Sequence, residues 1–306
     1  MRLCWNDWFR GPLRDLTLDE AKLIRSIGYE VAGINCGDVD ATDADIDHIK
    51  RIFDQAGLIP GPYGAGSATF HPDPAVCKEY KKNIAKALRI AGKIGCTGLR
   101  YSVGSMDPKN VWINHPENHT QKALDLLIES TKELVPIAED SRVMLCPETT
   151  QWTIVNGVER MKEYVDRLDS PYAKFCFDFV NHMTAERIVD SGVYIKKVVA
   201  TLGDRIGEFH VKDVQVVPGS VLVVHIDEIK MGTGTLDHAA IMEASNDLEP
   251  WKTFSLEHIG YDYKNPENVR DVKLAHDYIL SYANRIGHRF TDPELTREKW
   301  EKENKK

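Results

Sequence analysis

No apolar run in the sequence approaches the ~20 residues that a membrane span requires. The opening stretch, Met1-Arg2-Leu3-Cys4-Trp5-Asn6-Asp7, has neither the apolar core nor the cleavage site of a secretory signal, so the chain is expected to be mature and cytoplasmic. Positive charge is in deficit: 39 Lys and Arg stand against 47 Asp and Glu, a net charge of −8. A phosphate-backbone partner calls for a basic stripe, so no nucleic-acid or membrane partner is expected. Cysteine is sparse, with six in 306 residues and no C-x-x-C pair. Cys4, Cys36, Cys146 and Cys176 sit inside apolar, strand-like runs and Cys96 just before one. That is the pattern of reduced, buried thiols rather than of disulfides or a zinc site. No composition break marks a second domain.

What is present is an alternation. Short apolar strands and amphipathic helices follow one another from end to end: Leu3–Asn6, Tyr29–Cys36, Leu58–Tyr63, Gly98–Val103, Arg142–Cys146, then three strands ending at Asp178, His210 and Glu257. Helices are expected over 17–27, with Thr17 and Glu20 spaced as a capping box, then over 44–56, 75–94, 120–139, 157–167, 185–202, 236–244 and 269–286. Eight strands, each followed by a helix, predict an α/β fold of the (β/α)₈ TIM-barrel type in a single domain over 1–287. The charged tail, 288–306, is left as a helix, a frayed end or a partner contact.

Two connections exceed the usual handful of residues. Gly104–Asn118 carries Trp112, His115 and Pro116, with His119 following. Val214–Thr235 carries Pro218-Gly219-Ser220 between two β-branched runs, the pattern of a small hairpin, and Gly232-Thr233-Gly234. Both follow strands, so both are expected over the C-terminal mouth, where barrels place their chemistry, and the second is expected as a mobile lid.

Four consecutive strand ends offer Glu148, Asp178, His210 and Glu257, which follow one another at 30, 32 and 47 residues. One βα unit takes about 30 residues, so the first two gaps are single repeats and the third is a repeat plus the 214–235 insertion. The four side chains therefore share one level above the barrel core. Hard oxygen donors with one imidazole suit one divalent ion, Mn²⁺ first, with Mg²⁺, Co²⁺ or Zn²⁺ as alternatives.

Pro147-Glu148, Asp178-Phe179-Val180-Asn181-His182, His210-Val211-Lys212-Asp213, Gly232-Thr233-Gly234-Thr235-Leu236-Asp237 and Ser255-Leu256-Glu257 together resemble the xylose isomerase-like TIM-barrel superfamily. The likeness is to its branch of sugar isomerases and epimerases, which includes ketose 3-epimerases and inosose dehydratases. It implies that Glu148, Asp178, His210 and Glu257 bind one metal, and that Glu148 and Glu257 double as the acid and base. Two positions depart from that pattern. Asn181 stands where the epimerases carry His, with His182 adjacent, and 214–217 replaces a stretch in which they carry Arg.

The chemistry implied is abstraction of a proton next to a metal-polarised carbonyl, giving a sugar isomerase or epimerase. Loss of a β-substituent after the same abstraction gives the alternative, a lyase: an inosose or keto-sugar dehydratase, or the barrel subunit of a C-glycoside deglycosidase. His182 is a further catalytic candidate. Asn181, Lys212, Trp152, Trp112, His115 and Arg100 are candidate substrate contacts, with His119 beside them. Lys212 is equally read as facing outward in a structural ion pair, Arg100 as an internal ion pair, and Trp5, Trp8, Trp112 and Trp152 as stacking platforms or packing. Gly232-Thr233-Gly234 reads as a helix start rather than a phosphate loop. An apurinic-endonuclease relative would need more strand-end histidines and a basic face, and a silent binding barrel would not need four intact donors. The expected partner is a small sugar or keto-sugar, with a homo-oligomer or partner subunit left open.

Overall fold

The computed structural model describes residues 1–6, 8–217, 219, 223–246, 248–257, 265–290, 292, 299 and 302–303. In chain order the strands are β1 (Arg2–Trp5), β2 (Val31–Ile34), β3 (Ile59–Ala68), β4 (Gly98–Ser102), β5 (Met144–Glu148), β6 (Phe175–Asp178), β7 (Ile206–Val211), β8 (Asp213–Val216), β9 (Ile226–Ile229) and β10 (Thr253–Leu256). All but β8 and β9 close into one parallel barrel in the order β1-β10-β7-β6-β5-β4-β3-β2. Strands walled in on both faces need apolar residues on both. Accordingly β2, β4, β6, β7 and β10 are buried along their whole length.

The helices are α1 (Leu18–Ile27), α2 (Asp43–Ala56), α3 (Pro74–Ile94), α4 (Gln121–Lys132), α5 (Val135–Ser141), α6 (Val158–Leu168), α7 (Ser191–Leu202), α8 (His238–Ala244) and α9 (Pro266–Ile286). The capping box expected at Thr17 and Glu20 is present, with both reciprocal bonds. The single helix expected over 120–139 is two. Pro136 has no N–H to donate and its ring crowds the carbonyl four residues back, so α4 stops at Lys132 and α5 restarts around the proline. The helix expected from Ala185 begins only at Ser191, where Asp190 accepts the Val193 N–H as an N-cap. Strand β5 runs past Pro147 to include Glu148, two residues beyond its expected end.

The expected hairpin in the long connection is there. β8 and β9 pair antiparallel, Asp213 opposite Ile229 and Val216 opposite Ile226. Residues 218 and 220–222, where its turn was placed, lie outside the described residues, as does most of the tail after 290.

Candidate metal centre

Register brings the strand-end groups together. Asp178 lies directly opposite His210 across β6 and β7. Ser255 lies opposite His210 on the other side, and Glu257 is two residues further along that strand. Glu148 is paired with Cys176, which shares a face with Asp178 because side chains alternate with period two. One donor atom from each of Glu148, Asp178, His210 and Glu257 lies within 4.8 Å of every other. From His210 Nδ1 the distances are 2.9 Å to Glu257 Oε2, 3.7 Å to Glu148 Oε2 and 3.8 Å to Asp178 Oδ2. That nitrogen is buried and makes no well-aligned hydrogen bond. Three carboxylates facing one imidazole nitrogen at this spacing fit a divalent cation with hard-oxygen preference.

The other imidazole nitrogen is held from below. Arg100 Nη1 is 2.9 Å from His210 Nε2, Asn6 Nδ2 3.1 Å and Glu208 Oε1 3.6 Å. Glu208 also accepts from Ser255 Oγ at 2.7 Å and lies 3.8 Å from Arg100. Arg100 and Asn6 are the groups in hydrogen-bond range of the ring, and Glu208 backs Arg100. The strand itself carried the signal for Glu208: in Gly207-Glu208-Phe209-His210-Val211-Lys212 the polar residues fall at every second position, on one face.

The same alternation corrects the outward placement of Lys212. Residues two apart on a strand share a face, and Lys212 is buried with Nζ 2.5 Å from Asp178 Oδ2 and 2.9 Å from Glu257 Oε2. Burial works against its ammonium, but Asp178 and Glu257 outweigh that and raise it well above the ordinary lysine value. Burial also pushes both glutamates up. Glu257 nevertheless sits well below the usual carboxylate range, held by the charges of His210 and Lys212. In Glu148 burial prevails, reinforced by the neighbouring Glu257, and lifts it to about 7. Without an ion the two carboxyls are thus pushed in opposite directions.

Asn181 lines the cavity and donates from Nδ2 to Glu148 Oε1 at 2.6 Å. His182 does not reach it. Consecutive residues of a 3₁₀ turn point about 120° apart, and the turn Val180–His182 sends His182 into the protein, fully buried. There Nε2 meets Thr149 Oγ1 at 2.9 Å, Nδ1 meets Tyr194 Oη at 3.3 Å, and the ring stacks on Phe177. His115 caps a short 3₁₀ turn at the surface, and His119 spans Asn114 and Asn156; neither lines the cavity. Trp5 and Trp8 are core residues. Trp112 and Trp152 do line the cavity, 40% and 48% exposed, and Arg100 lies on its floor as well as behind His210. The cavity encloses about 1010 Å³, and Glu228 of β9 reaches into it, 3.9 Å from Lys212 Nζ. Sequence reasoning missed Glu228 because nothing local distinguishes it from a solvated hairpin acid.

Gly232-Thr233-Gly234 has its amides already committed. The Asp213 carboxylate accepts from the N–H groups of Val214, Gly232, Gly234 and Leu236 at 2.8–3.3 Å. A Cβ on Gly234 would lie 2.1 Å from Asp213 Oδ1, so glycine is required there by close approach. The motif is the anchor of the β8–β9 excursion.

A closed eight-stranded parallel barrel with an acidic, histidine-containing cluster at the C-terminal ends of its strands defines a (β/α)₈ protein with its site in the usual place. The chain belongs to the xylose isomerase-like TIM barrel family, whose model matches residues 21–276. No curated protein matches it in sequence. Among solved structures it is similar to a D-psicose 3-epimerase with D-tagatose from Clostridium cellulolyticum H10, at 17% identity over 92% of this chain and 99% of that one, with a TM-score of 0.68. It is also similar to a 3-keto-D-glucoside 4-epimerase from E. coli, at 16% identity over 92% and 98%, TM-score 0.65. A third is a xylose isomerase-like TIM barrel protein from Mycobacterium smegmatis in complex with magnesium, at 14% identity over 93% and 97%, TM-score 0.69. At these identities the likeness is one of fold.

Proposed function

We propose that the protein is a divalent-metal-dependent sugar isomerase or epimerase that moves a proton next to a carbonyl. The observation that carries this is the convergence of Glu148, Asp178, His210 and Glu257 on one point of the barrel mouth. These residues would hold the ion, Mn²⁺ in the first instance. When bound, such an ion polarises a sugar carbonyl and acidifies the adjacent C–H. The chain's own groups supply the rest. Glu257, paired with Lys212 at 2.9 Å, is assigned as the group that takes the proton. Glu148, oriented by the Asn181 amide, is assigned as the group that returns it. Lys212, buried and paired with Asp178 and Glu257, offsets the negative charge of the carboxylates rather than meeting substrate. The D-psicose 3-epimerase solved with D-tagatose and the 3-keto-D-glucoside 4-epimerase share the fold and make such sugars the first substrates to try.

The departures at Asn181 and 214–217 keep elimination as the second reading, because neither replacement offers a further acid or base at those places. Incubation of Mn²⁺-loaded protein with ketoses, inososes and 3-keto-glycosides in D₂O separates the two. Deuterium entering the C–H position with the substituents retained supports the isomerase. An elimination product supports the lyase, and no exchange with any member of the panel defeats both.

A further inference from the structure

We propose that the outer part of the cavity is a subsite for an apolar, aromatic substituent carried by the sugar, so that the substrate is an aryl glycoside or related conjugate rather than a free ketose. The proposal rests on the reading that the acidic cluster seats a sugar. Its first support is size. Cavities of about 300–1,000 Å³ take drug-sized ligands, and this one, at about 1010 Å³, is far larger than a single hexose needs.

The second support is the state of the two indoles. Exposed apolar groups gathered in a groove mark ligand-binding sites, and here the backbone beneath each indole is fixed. Ser102 Oγ and Ser105 Oγ donate to the carbonyls of Val111 and Ile113, and the Trp112 N–H donates to Asn110 Oδ1. Asn118, fully buried, donates to the Trp152 carbonyl at 2.9 Å and accepts from the Met106 N–H, so one side chain ties the Trp112 loop to the Trp152 loop. Two half-exposed indoles on locked backbone suit stacking on a planar ring better than they suit packing. The cavity lining adds Val180, Met183, Val224 and Ile226, which suit an aromatic ring, beside polar groups such as Arg10, Gln151 and Thr184 that suit hydroxyls.

Calorimetric titration of the Mn²⁺-loaded protein with 4-nitrophenyl and methyl glycosides of glucose, galactose and xylose, and with cellobiose, tests this. Binding of at least one aryl glycoside about tenfold or more tighter than its methyl counterpart is expected. Trp112→Ala and Trp152→Ala should each erode that preference, and Trp152→Phe should keep most of it. Their melting temperatures should stay near wild type, since neither indole is in the core. Equal affinity for aryl and methyl glycosides, cellobiose bound as tightly as the aryl glycoside, a preference untouched by both Ala variants, or no aryl glycoside bound would each overturn the proposal. The preference is read from binding and the proton chemistry from deuterium exchange. Aryl preference without exchange therefore sinks the catalytic reading alone, and exchange without aryl preference sinks this one alone.

Discussion

At the scale of the residue, Glu148 and Glu257 are two carboxyls with opposite environments, to which the proposed mechanism gives complementary tasks. If one takes the proton and the other returns it, Glu148→Gln and Glu257→Gln should each lower turnover by at least about a hundredfold, the usual weight of general acid–base catalysis. Steady-state rates at saturating Mn²⁺ check this, and near wild-type turnover in either variant would exclude the paired-glutamate mechanism. His182 makes a different prediction. Burial, with Arg187 adding to it, lowers its imidazole from 6.5 to about 4. Above pH 6.5 the ring is neutral whether the chain is folded or not. Between 6.5 and 4 only the unfolded chain takes the proton, so stability falls as pH falls, by roughly 3 kcal/mol across the window. Urea unfolding at pH 7 and pH 4.5 should show a smaller loss for His182→Gln than for wild type; equal losses would contradict the buried, neutral ring. The four strand-end donors were legible because their spacing tracks the βα repeat. The fate of His182 was not, because one 3₁₀ turn decides whether residue 181 or 182 faces the cavity.

At the scale of the element, a hairpin in this connection was legible from two β-branched runs, although β9 begins only at Ile226, after the second run, and its anchor was not legible. Four backbone N–H groups distributed over 23 residues of sequence converge on Asp213, and such convergence exists only after folding. The hairpin is therefore expected to open less freely than the mobile lid first read from the sequence. Asp213→Ala strips a buried charged acceptor from those amides and should destabilise by about 3 kcal/mol, with faster hydrogen exchange at Gly232, Gly234 and Leu236. Exchange at those amides as slow as in wild type would show that the hairpin is held by something else. The split of the expected 120–139 helix has a local cause in Pro136, which is visible in the sequence.

At the scale of the molecule, periodicity was enough to predict a closed barrel, since each strand–helix pair announces itself by a change from short apolar runs to amphipathic ones. The identity of the polar layer inside the barrel was less visible: Arg100, Glu208 and Asn6 support His210 from three different strands or strand ends, and no local motif links them. The central claim is that this support serves a single metal-binding point. Titration of Mn²⁺ into chelator-stripped protein, followed by calorimetry for wild type and Asp178→Ala side by side, tests it most directly. One site per chain that is lost or weakened at least about a hundredfold in the variant, in line with the weight of even outer-shell groups at metal sites, is the predicted result; unchanged stoichiometry and affinity in Asp178→Ala would contradict it.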